Sequence, residues 1–457
     1  MNIVIAGGGD VGVKIAQKLI YEGYNITLIE KDEKLIRMLK NKLDAMIIHG
    51  DATEVGTLIK ADIQSAGLFI IVTNSDSDNR VGCTLARKCG RSDLSIATKL
   101  DDYSQFFLKG KVAPGDFGVN TVVTPSELTI KKIVELIQNP DIFEIANYAG
   151  NIAQMVGVKV RKEFLYSSMP IFEMAQKDDM MTRIRLVAIQ REGNIIIPRG
   201  DSEIYPNDKL YFVGRTEVVK EIVKKYFSIN LKLNNVIIVG GSKRAVRLAR
   251  VLVKLKKTVV IIEENRSRCE EISSHLENVM VINGLATDRF LLEELKVENS
   301  CIVSMTSDDE YNILSAFMTK KYGASKTICM IKSTSIVNVI NNLAPIDTVF
   351  SPHALTVGEI LKRTRKDDLF SVSPFTEIDA ETVGIDINEK LPILNTPIKN
   401  ISMPDKTIIG IIIRGKEVII PTGEDEIKLG DRIIIFLLSD AIYEVEKMFS
   451  KRHGGRL

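Results

Sequence analysis

The sequence predicts an α/β protein built by tandem duplication: a doubly wound parallel sheet followed by a small α+β module, then both again. Three observations carry this. Residues 3–30 read as strand, glycine turn, helix, strand and acid. The apolar runs that follow are short, do not alternate and are separated by helical patterns, as in a parallel sheet covered on both faces. The opening motif then returns at Val236.

The first unit is the most specific stretch. Residues 3–6 are apolar and stop at Gly7-Gly8-Gly9. Val11, Ile15, Ala16 and Leu19 then share one helical face, and residues 26–29 form a second apolar run ending in Glu30. Gly7 permits a sharp turn, Gly9 lets a pyrophosphate approach the backbone, and Gly12 lets helix and strand pack closely. The first N–H groups of the helix and its positive dipole end face such a phosphate. Glu30 falls where an acid reaches a ribose hydroxyl. Together these point to a Rossmann-like unit for an adenosine-type nucleotide. The alternative is a Rossmann-like unit that has lost its ligand.

Onward, the pattern predicts a helix over 32–42, a strand over 45–48, a turn at 49–53 and a helix over 54–60. A strand over 68–72 ends in Thr73-Asn74-Ser75-Asp76, whose side chains suit a helix cap and bonds to ribose or phosphate. A helix over 79–88 and strands over 95–97 and 121–123 complete the sheet. A last helix starts at Thr124-Pro125-Ser126 and runs to Gln138, where Asn139-Pro140 breaks it. Ligands of such sheets sit at the carboxyl ends of the strands. The turns there are Gly7 to Val11, Glu30-Lys31, Asp51-Ala52, Thr73-Asn74 and Thr98-Lys99, five turns expected to form one rim. The candidate cofactor-binding residues of the first unit are Gly7, Gly8, Gly9, Asp10, Val11, Gly12, Glu30, Asp51, Ala52, Thr73, Asn74, Thr98 and Lys99.

The character then changes. Residues 185–189, the turn Glu192-Gly193-Asn194 and residues 195–197 read as a β-hairpin. A strand over 209–213 and a helix over 217–227 close a small α+β module. The second copy follows: Val236 to Ser242 repeats the opening, Glu263 falls on Glu30, Thr306 to Asn312 echoes Thr73 to Asn79, and Ser351-Pro352 echoes Thr124-Pro125. The small module recurs in Val418 to Gly423, with Asp431 on Asp208. The expected domains are 1–138, 139–230, 231–367 and 368–457. In the second unit Ser242 replaces Gly9 and Ala245 replaces Gly12. Ser242 puts a side chain in the pyrophosphate path, while Lys243 and Arg244 either supply phosphate-facing charge or are solvated. Gly240, Ser242, Lys243, Arg244 and Glu263 are its candidate residues, and whether it binds a nucleotide stays open at this point.

Composition narrows the function. At 457 residues the chain exceeds one core. Its net charge of +2 gives no reason to expect nucleic acid. Cys83, Cys89, Cys269, Cys301 and Cys329 have no C-x-x-C spacing, so no zinc or redox pair is expected, and Cys301 and Cys329 lie in apolar runs as core residues. No stretch of about 18 apolar residues occurs, so no membrane-spanning helix is expected. Met1 leads straight into the first strand, and the expected location is cytoplasmic. His49 is the one histidine near the rim and reads as a strand-end cap. His275, His353 and His453 have no partner at catalytic spacing. The short basic runs 362–366 and 451–453 read as solvated ends.

Residues 3–12, Glu30, Val72 to Asp76, Thr124-Pro125-Ser126-Glu127-Leu128 and their second-half counterparts together resemble the TrkA family. These are cytoplasmic regulatory subunits of the Trk potassium-uptake system, built of RCK (regulator of potassium conductance) domains. The resemblance covers essentially the whole chain, whereas the single-RCK Ktr regulators resemble only half. It implies a ring, most simply a homotetramer, under a membrane-embedded potassium-translocating subunit, with NAD(H) or ATP/ADP as ligand and gating by nucleotide occupancy. Carried over, the ligand residues are Gly7 to Val11, Glu30, Asp51, Thr73 and Asn74. The family often has an arginine after the fifth strand, and here that place reads Ala97-Thr98-Lys99. Glu30 disfavours NADP, whose 2′-phosphate would meet a carboxylate. The competing readings are an NAD-dependent oxidoreductase, for which the rim lacks an acid–base set, and a scaffold whose Rossmann-like units bind nothing. The expectation is a non-enzymatic regulator.

Overall fold

A computed structural model describes residues 1–101, 113–228, 231–364, 371–375, 378, 380–387 and 393–449. In chain order the first sheet takes β1 (Asn2–Ala6), β2 (Asn25–Glu30), β3 (Met46–His49), β4 (Leu68–Ile71), β5 (Ser95–Lys99) and β6 (Thr121–Val123). Between them run α1 (Asp10–Tyr21), α2 (Glu33–Leu39), α3 (Val55–Lys60) and α4 (Asp76–Cys89). All pairings are parallel in the order β3-β2-β1-β4-β5-β6, so the connections reverse direction between β1 and β4. The strands are apolar throughout because helices cover both faces. Ile3, Ile5 and Leu28 enter one core and Val4, Ala6 and Ile29 the other.

Helix α5 (Pro125–Gln138) leads to the first small module: β7 (Ile142–Tyr148), β8 (Ala153–Lys159), α6 (Ile171–Lys177), α7 (Asp179–Thr182), β9 (Ile184–Arg191), β10 (Asn194–Ile196), β11 (Lys209–Arg215) and α8 (Thr216–Ile222). Its sheet is antiparallel, in the order β10-β9-β11-β8-β7. The hairpin turn expected at Glu192-Gly193 has both residues at positive φ, which matches the strand twist.

The second parallel sheet takes β12 (Asn235–Val239), β13 (Thr258–Glu263), β14 (Val279–Asn283), β15 (Ser300–Ser304), β16 (Lys326–Met330) and β17 (Thr348–Phe350). It repeats the first order as β14-β13-β12-β15-β16-β17. Its helices are α9 (Lys243–Lys254), α10 (Arg266–His275), α11 (Arg289–Glu294), α12 (Asp309–Lys321), α13 (Thr334–Leu343) and α14 (Pro352–Thr364). The last module is β18 (Ser371–Pro374), β19 (Ala380–Asp386), β20 (Thr407–Arg414), β21 (Glu417–Ile419), β22 (Arg432–Leu438) and α15 (Ile442–Phe449), with sheet order β18-β19-β22-β20-β21. In each small module a buried aspartate accepts two guanidinium N–H bonds and a turn N–H. Asp208 takes them from Arg191 and Tyr205, and Asp431 from Arg414 and Lys428.

The chain forms two compact units that do not follow the repeat. One comprises Met1–Thr129 with Pro352–Asp367, the other Ile130–Ser351 with Asp368–Leu457. Helix α14, expected with the second parallel sheet, instead completes the first. Its Val357, Ile360 and Leu361 share one core with Val11, Ile15 and Leu19 of α1, and Arg363 donates to the Val122 carbonyl. The expected division comes at the end of α5, after residue 138, whereas the units part inside that helix, after Thr129. Its apolar face fixes the reason: α14 presents a stripe that α1 covers. In the other unit the two small modules share a core, with Tyr211 edge-on to both Phe143 and Phe375 at 5.4 Å.

Strands β7 and β8 have no counterpart in the sequence reading. The turn between them, Ala149-Gly150-Asn151, is entirely at positive φ. The helix expected over 217–227 is α8 followed by a π-helical turn over Val223–Phe227. The expected boundaries at 230 and 367, the basic residues 365–366 and the run 451–453 lie outside the described residues. Ile360→Ala deletes a fully buried side chain from the first unit and is expected to cost about 3 kcal/mol. Hydrogen exchange should then quicken at the β1 and α1 amides, far away in sequence.

Candidate nucleotide-binding cleft

A cavity of about 380 Å³ opens at the carboxyl ends of β1, β2, β3 and β4, at the point where the strand order reverses. Gly7, Gly9, Glu30, Asp51, Ala52, Thr73 and Asn74 line it, joined by Lys31, Asp32 and Asp78. Four of the five expected turns therefore meet.

The glycines divide by role. Gly7 sits at φ +104°, and a side chain there would press on Val72 and the Thr73 nitrogen. A Cβ at Gly12 would lie 1.9 Å from the Gly7 oxygen. A Cβ at Gly8 would lie 2.8 Å from a Leu39 methyl and 2.9 Å from the Glu30 carboxylate. Gly7 and Gly12 are required by the backbone itself, and Gly8 is hemmed in by two side chains. Gly9 is not: a Cβ there meets no atom within 4 Å, and its backbone is in an ordinary extended conformation. It borders the cavity, so its bareness serves whatever enters. No side chain caps α1, which leaves first-turn N–H groups to an outside acceptor.

Glu30 is nearly buried and accepts three backbone N–H bonds, from Gly8 at 2.5 Å, Lys31 at 2.7 Å and Asp32 at 2.8 Å. A carboxylate offers about four lone-pair sites, so one remains for a ribose hydroxyl. Asp51 accepts from the Thr53 nitrogen and hydroxyl, which hold its carboxyl below the usual range. The acids around the cleft are acceptors suited to a ribose diol and opposed to a 2′-phosphate. Lys31 lies 3.7 Å from Asp78.

The fifth turn is elsewhere. The Thr98 hydroxyl is buried and donates to the Ile71 carbonyl, and neither Thr98 nor Lys99 is among the cleft's lining residues. Burial lowers the Lys99 pKa. Asn79 explains the separation. Fully buried, it donates to the Thr73 and Lys99 carbonyls and accepts from the Thr73 nitrogen and hydroxyl, so it clamps the β4 and β5 ends together and aims Thr73. The sequence reading assigned Asn79 no role. Its signal was the paired spacing of Thr73 with Asn79 and Thr306 with Asn312, whose bonds are the same. Val11 and Gly12 are buried behind the turn, and Asp10 faces His353 of α14, with Oδ2 and Nδ1 3.4 Å apart. His49 bonds the Lys31 carbonyl at 3.2 Å, as expected of a strand-end cap.

The second unit keeps the frame and changes the phosphate face. Glu263 accepts from the Gly241 nitrogen at 2.6 Å and from Asn265. The Ser242 hydroxyl accepts from the Ala245 nitrogen, so the chain satisfies its own helix terminus. Arg244 contacts the Met330 sulfur at 3.4 Å, Lys243 is exposed, and Arg268 donates to the Gly241 carbonyl at 2.7 Å. Among the described residues no cluster of metal-ligating side chains occurs, and no helix is long and apolar enough to cross a membrane. Cys301 is buried, with its thiol pushed up to about 12.

The fold is a duplicated nucleotide-type unit, each copy followed by a small antiparallel module. The TrkA-N domain model matches residues 3–125 and 236–352, and the TrkA-C domain model matches 175–227 and 383–450; the chain belongs to the TrkA family. It is 29% identical to the Trk system potassium uptake protein TrkA of Halomonas elongata, over 98% of each chain. It is likewise 29% identical to that of Vibrio alginolyticus, again over 98% of each. Among solved structures it is similar to the GsuK RCK domain, with TM-score 0.60, 14% identity, and 98% of this chain and 94% of that chain covered. It is also similar to the GsuK channel bound to NAD, with TM-score 0.60, 15% identity, and coverage of 98% and 78%.

The two glycine roles separate experimentally. Gly9→Val should change stability by less than about 1 kcal/mol, whereas Gly12→Ala should cost at least about 3 kcal/mol through its clash with the Gly7 oxygen. Thermal melts of the two variants check this.

Proposed function

We propose that this protein is a nucleotide-responsive regulatory subunit of a membrane potassium transporter, with NAD(H) or ATP/ADP bound at the first cleft. The observation that carries the ligand is Gly9: a bare backbone position facing a cavity, with no packing reason to be glycine. The family supports the transporter, since its relatives are named as potassium-uptake proteins. The partner is then a membrane-embedded potassium-translocating subunit. The protein works on the cytoplasmic side as a closed homo-oligomer, most simply a tetramer.

In this reading the pyrophosphate lies along Gly9 and the open end of α1, while Glu30 and Asp51 take the ribose. The reading assigns the cleft no turnover, because no histidine, cysteine or tyrosine lines it and its one lysine lies beside Asp78. It assigns nucleotide sensing to the first copy, since Ser242 already fills the corresponding place in the second. The response travels through α1. A ligand at its N-terminus loads a helix that packs along α14, which the chain continues into the second copy's small module. A ligand shifts such an equilibrium only by its differential affinity for the two shapes, typically about 1–3 kcal/mol. Nucleotides that reach different depths into the cleft therefore bias the assembly differently.

Calorimetry should show ADP, ATP or NADH binding the wild type and not Gly9→Val. Equal affinities would remove the cleft assignment. Potassium flux through the reconstituted transporter should depend on which nucleotide is present. Flux indifferent to all three would remove the regulatory role even if they bind.

A further inference from the structure

The second parallel sheet keeps the frame of the cleft and fills it from within. Three positions carry the difference. Gly9 and Ser242 each occupy the N-cap position of the first helix of their sheet. Leu35 and Arg268 each stand third after the cap of the next helix, Asp32 or Asn265. Asp78 and Tyr311 each stand third after Ser75 or Asp308, the caps of α4 and α12. Gly9, Leu35 and Asp78 line the first cavity, and Ser242, Arg268 and Tyr311 hold the matching places in the second copy.

Tyr311 spans the strand ends. It stands at the start of α12, beyond β15, and its hydroxyl accepts the N–H of Ala286, beyond β14, at 2.8 Å. In the sheet β13 and β12 lie between β14 and β15. The side chain packs against the core that holds Val239 and Ile262, near the ends of those two strands, and Ala286. The first copy presents Ile29 and Ala52 to its cavity where the second has Ile262 and Ala286. A phenol is a flat apolar body with one polar end, much as a nucleobase is flat with a polar edge. In the second copy that ring is already in place and its polar end already bonded.

Arg268 covers the glycine turn. It reaches from α10 to donate its Nε–H to the Gly241 carbonyl at 2.7 Å, and Glu271 meets the guanidinium at 2.6 Å. Its charge is therefore answered within the chain. Ser242 completes the set: its hydroxyl accepts from the Ala245 nitrogen, at a helix start where a phosphate oxygen would otherwise accept. A nucleotide entering there displaces all three contacts and must re-pair the groups they satisfy. The first cleft has glycine, leucine and aspartate in their place.

We infer that the second cleft is occupied by the chain's own side chains: Tyr311 takes the place of the base, Arg268 closes over the glycine turn, and Ser242 takes the place of the phosphate. The chain then binds one nucleotide rather than two, and a second site is latent beneath Tyr311 and Arg268. The inference rests on reading the first cleft as a nucleotide site.

ADP is the probe, because ATP and NADH both contain it. Calorimetry on the wild type should give one ADP per chain. The decisive protein carries Gly9→Val, which silences the first cleft, together with Ser242→Gly, Arg268→Leu and Tyr311→Ala. It should bind ADP at least tenfold more tightly than Gly9→Val alone, about 1.4 kcal/mol. A thermal melt shows whether it is folded. If it is not, hydrogen exchange on the wild type decides: ADP should slow the amides of residues 8–12 and leave those of 241–245 unchanged. Two ADP per wild-type chain, ADP protection at 241–245, or a folded opened protein that binds no more tightly than its parent overturns the proposal. A wild type that binds no ADP, beside an opened protein that does, removes the reading of the first cleft and upholds the self-occupied second one.

Discussion

The glycine turn stands because the Glu30 carboxylate holds it. One oxygen takes the Gly8 N–H and the other takes Lys31 and Asp32, so a single side chain ties the end of β1 to the end of β2. On the other flank Gly7 lies against Val72 and Thr73 at the end of β4. The turn is thus confined between its two neighbouring strands. Hydrogen bonds to an ionised acceptor are the strong ones, and here they cost no long side chain's freedom beyond the one glutamate. The confinement turns position 9 outward, and because that residue is glycine the start of α1 is uncapped. The second copy repeats it with Glu263, Gly241 and Gly240, so the constraint belongs to the scaffold rather than to any ligand.

Exchange of a helix gives the first unit its completeness. Val11, Ile15 and Leu19 of α1 would lose this cover if α14 stayed with its own sheet. Because α14 comes from the second half of the chain, the two halves cannot fold as independent repeats. The cost is a long-range closure that local contacts do not reward early. The consequence is mechanical. The helix whose first turn borders the cleft is the same helix that packs against a segment of the second copy, and Asp10 and His353 meet at that end.

Much of this was legible in the residues. Strand and helix positions of the first parallel sheet followed from apolar runs and glycine turns, and the second from its repeat of that pattern, because buried strands and capped helices leave strong local signals. Ser75 and Asp308 show it, each capping the helix the pattern placed after it. The cleft was legible for four turns out of the five expected, and the fifth failed for a tertiary reason: Asn79 draws the β5 end inward and Thr98 turns to Ile71. Strands β7 and β8 escaped because their connection, Ala149 to Ile152, is longer than a two-residue hairpin turn and places three residues in a row at positive φ. The destination of α14 escaped for a deeper reason. An amphipathic stripe says that a helix must be covered, and nothing in it names the partner.

The two copies show which part of a duplicated site is structural and which is chemical. Both keep the acid that holds the turn, the glycine at positive φ, and the Thr–Asn clamp at the next strand end. Each of these groups makes bonds to protein, so any ligand-free copy still needs them. The copies part at the positions that face outward. Gly9 leaves the helix terminus bare, while Ser242 supplies its own hydroxyl to that terminus and Arg268 draws the neighbouring Gly241 carbonyl. A phosphate entering the second copy would have to displace the Ser242–Ala245 bond; entering the first, it displaces none. The difference is worth about one hydrogen bond to an ionised group, roughly 1.5–3 kcal/mol, or more than tenfold in affinity. That asymmetry, on otherwise matching frames, is why the proposed nucleotide is assigned to the first copy, while the second carries the helix that the first requires.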